Sequence, residues 1–284
     1  MPILVEIIKK TEKYFQNCGI ESARLDTEIL IGSILKLDRI QLYMNYDLPL
    51  SEVELNQIRN VVRRRAAREP VAYILGEKDF YAHTFYVEPG VLCPRPDTET
   101  LVEQALLRIP KSGDFFIADI GMGSGCVGLS IAMERPDVKV FATDISDIAL
   151  RCTKKNVVHL NLQKRVAILK GAYLDPIPPD RTIDMLVSNP PYIPTSDIEQ
   201  LEPEVQKHEP KLALDGGDDG LHCYRALAVQ ASARSIPHVL VEIGMDQAED
   251  VTNIFQLKGY PYCTTHQDLS GRPRVVSCSR EFKE

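Results

Sequence analysis

Several things that would each have pointed to a class of protein are missing from this chain. No uninterrupted apolar stretch approaches the length needed to span a bilayer, so a helical membrane protein is not expected. The start, Met1-Pro2-Ile3-Leu4-Val5-Glu6, breaks its apolar run with an acid and places Lys9-Lys10 after it, the wrong order for a secretory signal. A cytoplasmic location with no membrane attachment is therefore expected. The seven cysteines (18, 93, 126, 152, 223, 263, 278) are odd in number and never form Cys-x-x-Cys. That spacing predicts neither a zinc site nor a disulfide framework and suits a reducing compartment. Positive charge is not in surplus either. The formal net charge of −7 argues against tight, sequence-blind binding to nucleic acid and leaves room only for a local basic patch. Repeats and low-complexity segments are absent as well.

What is present divides into parts of unequal character. Residues 1–75 read as wholly helical. Leu4, Ile7, Ile8 and Phe15, with Thr11 and Cys18 between, form one helical face, and Leu25, Ile29, Ile34 and Leu37 suggest a second helix. Ser51 and Glu54 make a capping box that opens a third, running into Arg63-Arg64-Arg65 and Arg68, with Pro70 expected to end it. The Arg cluster reads either as a solvated helix end or as a partner-docking surface. Residues 76–94 hold β-prone Phe80, Tyr81, Phe85, Tyr86 and Val87 interrupted by Ala82-His83, which predicts a hairpin linker.

From 95 to 284 strands and helices alternate. Strands are expected over 115–120, 138–144, 166–169, 183–188 and 239–243, with helices over 126–133, 146–160 and 247–257 and last strands over 262–265 and 274–278. Alternation with short connections predicts parallel strands covered by helices on both faces. The stretch 194–221 is long for a connection, which marks it as functional.

Two motifs carry the chemistry. The first strand leads into Gly121-Met122-Gly123-Ser124-Gly125, where glycines let the backbone approach a ligand closely, and the second ends at Asp144, placed to hold a ribose. Gly123, Gly125 and Gly128 also satisfy G-x-G-x-x-G, but the loop opens at Gly121, so a cofactor without a pyrophosphate, S-adenosylmethionine (SAM), fits better than a dinucleotide. The second motif, Asn189-Pro190-Pro191-Tyr192, closes a buried strand. It offers a side-chain amide, backbone carbonyls and an aromatic face where open α/β sheets bind ligands. Such a clamp suits a planar nitrogen group, either an amide or an exocyclic amine.

With these residues in view, the chain resembles the class I SAM-dependent methyltransferases that act on nitrogen. Pro94-Arg95-Pro96-Asp97-Thr98-Glu99, Ser188 through Pro194, Glu209 through Gly217 and Glu242-Ile243-Gly244 are similar to the peptide chain release factor glutamine N5-methyltransferases. The resemblance runs from about Pro70 to Val276 and loosely over the N-terminal helices. It implies an α/β class I methyltransferase fold (Rossmann-like, mostly parallel sheet) with a small N-terminal helical bundle and a connecting β-hairpin. It also implies SAM as cofactor and, as substrate, the glutamine of a Gly-Gly-Gln loop in class I peptide chain release factors, methylated on its side-chain nitrogen in support of translation termination. In that family the N-terminal helices contact the release factor, and no direct nucleic-acid binding is expected.

Carried over by position, Gly121, Met122, Gly123, Ser124 and Gly125 would cradle the methionine part of SAM. Asp144 would bind its ribose, Tyr173 would lie near the adenine, and Asn189 would border the cofactor. Asn189 and the carbonyl of Pro190 would accept the N–H bonds of the glutamine amide, with Pro191 and Tyr192 beside it. Met122 stands where the family usually has Thr, Ala172 where an acid is frequent, and Ser235-Ile236-Pro237 is shorter than the family's usual turn. Two other readings stay open: a nucleic-acid amino-methyltransferase, and a silent SAM-binding scaffold.

Overall fold

The computed structural model describes residues 1–281, which form two units. One consists of Met1–Glu77 with Glu202–His208; the other consists of Lys78–Leu201 and the chain from Glu209 onward.

The first unit is helical. Helix α1 (Leu4–Asn17) buries Leu4, Ile8, Thr11 and Phe15, the face expected from its spacing. Helix α2 (Ala23–Leu35) turns differently from expectation: Ala23, Thr27, Leu30 and Ile31 are buried, and Leu25 is exposed. A short helix that periodicity does not reveal, α3 (Arg39–Met44), starts at Asp38, whose carboxylate accepts the Gln41 N–H. Helix α4 (Glu52–Ala66) begins with the Ser51–Glu54 capping box as expected. It ends before Pro70, however. Arg68 takes a left-handed φ of 71°, and Pro70 opens α5 (Val71–Leu75) instead of closing α4.

Much of the Arg cluster is used inside this unit. Arg65 is buried, with Nε 2.6 Å from Asp26 Oδ2 and Nη2 3.0 Å from Glu204 Oε1. Arg68 reaches the same Glu204 oxygen at 2.8 Å, Arg64 pairs with Glu69, and Arg63 stays exposed.

The second unit is α/β. Strands β1 (Glu77–Phe80) and β2 (His83–Tyr86) form a small separate sheet. After a 3₁₀ turn at Pro96–Thr98 come α6 (Glu99–Leu106), β3 (Phe115–Ile120), α7 (Cys126–Glu134), β4 (Val138–Asp144), α8 (Asp147–His159) and β5 (Val166–Lys170). Then follow β6 (Met185–Ser188), α9 (Pro203–His208, in the first unit), α10 (His222–Ala233), β7 (His238–Glu242), α11 (Ala248–Gln256), β8 (Tyr262–Gln267) and β9 (Pro273–Ser279).

The seven-stranded sheet has the order β5-β4-β3-β6-β7-β9-β8. The first five strands in that order are parallel, and β9 runs antiparallel to its two neighbours β7 and β8, so the sheet is mixed rather than parallel throughout. From β3 the chain moves outward through β4 and β5, then returns to the other side of β3 as β6. That reversal opens a crevice beyond the carboxyl ends of β3 and β6, where such sheets bind ligands.

Strand alternation divides the core between the two faces. Ile117, Met185 and Val187 pack with Leu101, Val102 and Leu129. Ala118, Ile120 and Leu186 pack with Tyr224, Leu227 and Phe255.

The cysteine expectation needs one correction. Cys263 and Cys278 stand directly opposite in the β8–β9 register, Cα to Cα 4.2 Å, and are joined by a disulfide. The pairing depends on hairpin register, which a spacing rule does not see. The other five cysteines take part in no disulfide among the described residues.

Candidate active site

The glycine loop takes its shape from its own backbone. β3 stops at Ile120, and the Gly121 and Met122 N–H groups both donate to the Thr143 carbonyl, at 2.9 and 3.1 Å. Gly123 N–H donates to Asp144 Oδ2 at 3.0 Å, while Thr153 Oγ1 and Asn156 Nδ2 donate to the carbonyls of Gly123 and Ser124. Gly121 and Gly123 have φ of +69° and +56°, a region that L side chains avoid. A Cβ at Gly121 would meet nothing within 4 Å, so the backbone there faces open space.

Asp144 ends β4. One oxygen accepts from Gly123 and the other from the Ser146 N–H at 2.9 Å, which leaves acceptor capacity on both oxygens. Tyr173 sits at φ +48° and gives its carbonyl to Thr143 Oγ1 at 2.8 Å. This left-handed backbone costs about 1–2 kcal/mol and is held by its surroundings.

Beneath the loop lies Asp119, which the motif reading gave no role. It is buried and accepts the Gly128 N–H at 3.0 Å. Burial pushes its carboxyl up to about 7 against the pull of that hydrogen bond, and the nearby charge of Asp144 adds to the rise. A Cβ at Gly128 would lie 2.7 Å from Asp119 Oδ2, so α7 reaches β3 only because residue 128 is glycine.

The second wall begins where β6 ends. Ser188 Oγ donates to the Ile120 carbonyl at 2.7 Å, tying β6 to β3 at the switch point. Asn189 follows, its Nδ2 donating to Thr98 Oγ1 at 3.2 Å. Pro190 and Pro191 then hold the chain extended with no N–H to satisfy. The Tyr192 carbonyl accepts from Gln247 Nε2 at 2.9 Å, and the Tyr192 hydroxyl lies 3.4 Å from Glu242 Oε1. Glu242, at the carboxyl end of β7, is 2% exposed. Burial pushes its carboxyl up to about 7, opposed by the nearby Thr98 hydroxyl and by the charge of Arg274. Among the described residues its Oε2 has no hydrogen-bond partner.

Arg95, from the Pro-Arg-Pro motif, places Nη2 2.7 Å from both oxygens of Glu209. Two distant motifs are joined by that pair, and it anchors the start of the loop carrying Pro210, Leu212, Ala213 and Asp215.

These walls enclose one cavity of about 440 Å³. Of the residues singled out from sequence, Gly121, Gly123, Asp144, Tyr173, Asn189, Pro190 and Pro191 line it. Four others lie off its wall. The Met122 side chain is in the core, Ser124 is buried, Gly125 caps α7, and the Tyr192 ring packs partly buried against the second core cluster with its hydroxyl on Glu242. The 194–221 stretch contributes Pro210, Leu212, Ala213 and Asp215, as its length suggested, and α10 adds His222, Cys223 and Leu227. Sequence reasoning missed the roles of Thr98, Asp119 and Glu242. The signal available was an acid at the end of a buried strand just before Ile-Gly, which Asp119-Ile120-Gly121 and Glu242-Ile243-Gly244 share.

Sheet order, a glycine loop at the switch point, an acid ending the next strand and an Asn-Pro-Pro-Tyr wall opposite define a class I methyltransferase. Comparison with known proteins agrees. Residues 83–206 match the methyltransferase small domain and residues 6–76 the PrmC N-terminal domain. The chain is 42% identical to the release factor glutamine methyltransferase of Geobacter sulfurreducens over 95% of this chain and 94% of the relative. It is 38% identical to that of Caulobacter vibrioides over 96% and 95%. This chain belongs to the release factor glutamine methyltransferase family. Among solved structures, a methyltransferase from Pyrococcus furiosus (15% identity, TM-score 0.53, 80% of this chain and 99% of that one) shares the fold. So does the N-terminal domain of human METTL16 in complex with SAH (17% identity, TM-score 0.53, 78% of this chain and 84% of that one).

Proposed function

We propose that this protein transfers a methyl group from SAM to the side-chain amide nitrogen of the glutamine in the Gly-Gly-Gln loop of class I peptide chain release factors. Family membership supports the reaction. The observation that carries the site assignment is a cavity bordered on one side by Gly121, Gly123, Asp144 and Tyr173 and on the other by Asn189 and Pro190.

The residues present fit SAM. Open space above Gly121 admits a ligand close to the backbone, and Asp144 keeps acceptor capacity on both oxygens for a ribose diol. The Tyr173 ring and Leu227 offer apolar surface to an adenine, and Gly123 with Gly121 borders the methionine part. When bound, SAM supplies an electrophilic methyl group on a sulfonium that leaves as a neutral thioether.

The amide nitrogen of glutamine is a weak nucleophile because its lone pair is delocalised into the carbonyl. Asn189 Oδ1 and the Pro190 carbonyl accept its two N–H bonds, which orients the nitrogen and stabilises the positive charge that develops there. Pro190 and Pro191 cannot donate, so this wall presents only acceptors to the incoming NH₂. The proton leaves the product to solvent, and no side chain is assigned as general base. Residues 1–75 serve as the partner-binding domain, 76–94 as the linker and 95–284 as the catalytic domain of an enzyme working in the cytosol. Recognition is through protein, without direct contact to nucleic acid.

The test is transfer of labelled methyl from SAM to a purified class I release factor, beside a factor whose Gly-Gly-Gln glutamine is replaced, with peptide mass analysis locating the methyl. Label on the normal factor alone is the expected result. SAM binding without any label would end the assignment.

A further inference from the structure

We infer that Gln247 is a positioning residue for the Asn-Pro-Pro-Tyr wall: its side-chain amide pins the Tyr192 carbonyl and, through the two rigid prolines, fixes where the Pro190 carbonyl meets the acceptor amide. The inference deepens the proposed function and rests on it.

The middle of this wall cannot hold itself. Pro190 and Pro191 have no N–H, so the chain from Ser188 to Tyr192 is set by its ends. At the upstream end Ser188 Oγ donates to the Ile120 carbonyl at 2.7 Å. At the downstream end Gln247 Nε2 donates to the Tyr192 carbonyl at 2.9 Å. One residue further, the Ile193 N–H donates to the Leu214 carbonyl at 3.0 Å. With φ locked at both prolines, little of a shift at Tyr192 is absorbed before it reaches Pro190.

The Gln247 amide has one possible orientation. Its Oε1 accepts the Gly244 N–H at 2.9 Å, and a backbone N–H only donates. Its Nε2 faces the Tyr192 carbonyl, which only accepts, and lies 3.4 Å from the Gly220 carbonyl. Gln247 precedes α11, and its own N–H donates to the Gly244 carbonyl at 3.1 Å. The turn from Gly244 to Gln247 is thus closed by backbone and side chain together, which fixes the amide before it reaches Tyr192.

Three glycines make room for this contact. A Cβ at Gly244 would lie 2.9 Å from Gln247 Oε1, and one at Gly216 would lie 2.9 Å from Tyr192 Cα. One at Gly220 would collide with the Tyr192 carbonyl oxygen and lie 2.7 Å from Gln247 Nε2. Gly244 and Gly216 belong to the Glu242-Ile243-Gly244 and Glu209–Gly217 motifs, yet neither lines the cavity. Close approach of Gln247 and Tyr192 gives both a role.

The experiment compares wild type, Gln247→Met and Gln247→Glu at about pH 8, where a half-buried carboxyl is ionised. It measures kcat and KM for a release factor and SAM affinity by calorimetry, with kcat expressed per SAM-binding site so that partial unfolding does not lower it. Met keeps the length and loses both bonds. Glu keeps the shape and the bond from Gly244 but turns lone pairs toward the Tyr192 carbonyl. Gln247→Met is expected to lower kcat about 5–30-fold and Gln247→Glu about 30–100-fold, with KM and SAM affinity within about 3-fold in both. A packing role predicts the reverse order, because Glu matches Gln more closely in shape. Gln247→Glu as active as Gln247→Met, or SAM affinity falling in step with kcat, would overturn the inference. An inactive wild type that binds SAM would overturn the proposed function and this inference together, whereas an active wild type beside a Gln247→Glu of unchanged kcat overturns only the inference.

Discussion

On one side of the cavity the backbone holds itself. The Gly121, Met122 and Gly123 N–H groups are bound by Thr143 and Asp144, all within about two dozen residues of sequence. On the other side the shape depends on side chains gathered from far apart: Thr98, Asn189, Tyr192, Glu242 and Arg274. A cofactor site built from local backbone tolerates exchange of side chains, which is why Met122 can stand where a Thr is usual without disturbing the loop. A site built from distant side chains fails when any member loses its donor or acceptor.

The sharpest way to separate the halves is Asn189→Ala. Transfer to the release factor should fall about 10²–10³-fold in kcat, with SAM affinity held within about 3-fold by calorimetry. A variant that kept near-normal transfer would remove the clamp from the mechanism. The converse is Asp144→Ala, which takes the acceptor from the Gly123 N–H and, on the proposed reading, from the ribose. SAM affinity should drop about 10–100-fold, with kcat at saturating SAM little changed. Equal losses in kcat and affinity would mean that the halves are not independent.

Gly128→Ala probes the floor beneath the loop. The new Cβ would meet Asp119 and Val140 at 2.7–3.0 Å, so stability should fall about 1–3 kcal/mol in denaturant titration. An unchanged midpoint would show that α7 can shift. The last effect concerns pH. The Asp119 pKa rises from 3.8 to about 7 on folding, so the native state holds a proton that the unfolded state releases between those values. Its stabilisation is complete below 3.8 and is lost as pH rises through 7, with a slope of at most about 1.4 kcal/mol per pH unit. Asp119→Asn keeps an acceptor for the Gly128 N–H and should flatten that part of the melting-temperature profile, leaving the part due to Glu242. An identical slope in the variant would place the proton elsewhere.

The same contrast explains what could be read from the residues alone. The glycine loop, Asp144, the Ser51 capping box and the buried strand before Asn189 are local patterns, and each was legible. Leu25 was assigned to the wrong face because α2 is apolar on more than one side, and Pro70 was read as a stop because a helix-opening proline looks the same in sequence. The antiparallel β8–β9 pair, the Cys263–Cys278 bond, the Asn189–Thr98 bond and the Tyr192–Glu242 contact all depend on register or on contacts across more than a dozen residues, which no local pattern encodes.

The segment Glu202–His208 gives the two units a consequence for anyone wishing to take them apart. The chain leaves the α/β unit at Leu201, spends seven residues in the helical unit, and returns at Glu209, next to the loop that walls the cavity. The chain therefore crosses between the units three times. Cutting at residue 77 would strip Glu204 of Arg65 and Arg68, leaving a loose thread between Leu201 and the Glu209–Arg95 anchor. Exchange of the helical unit between relatives should succeed only when both pieces of chain travel together.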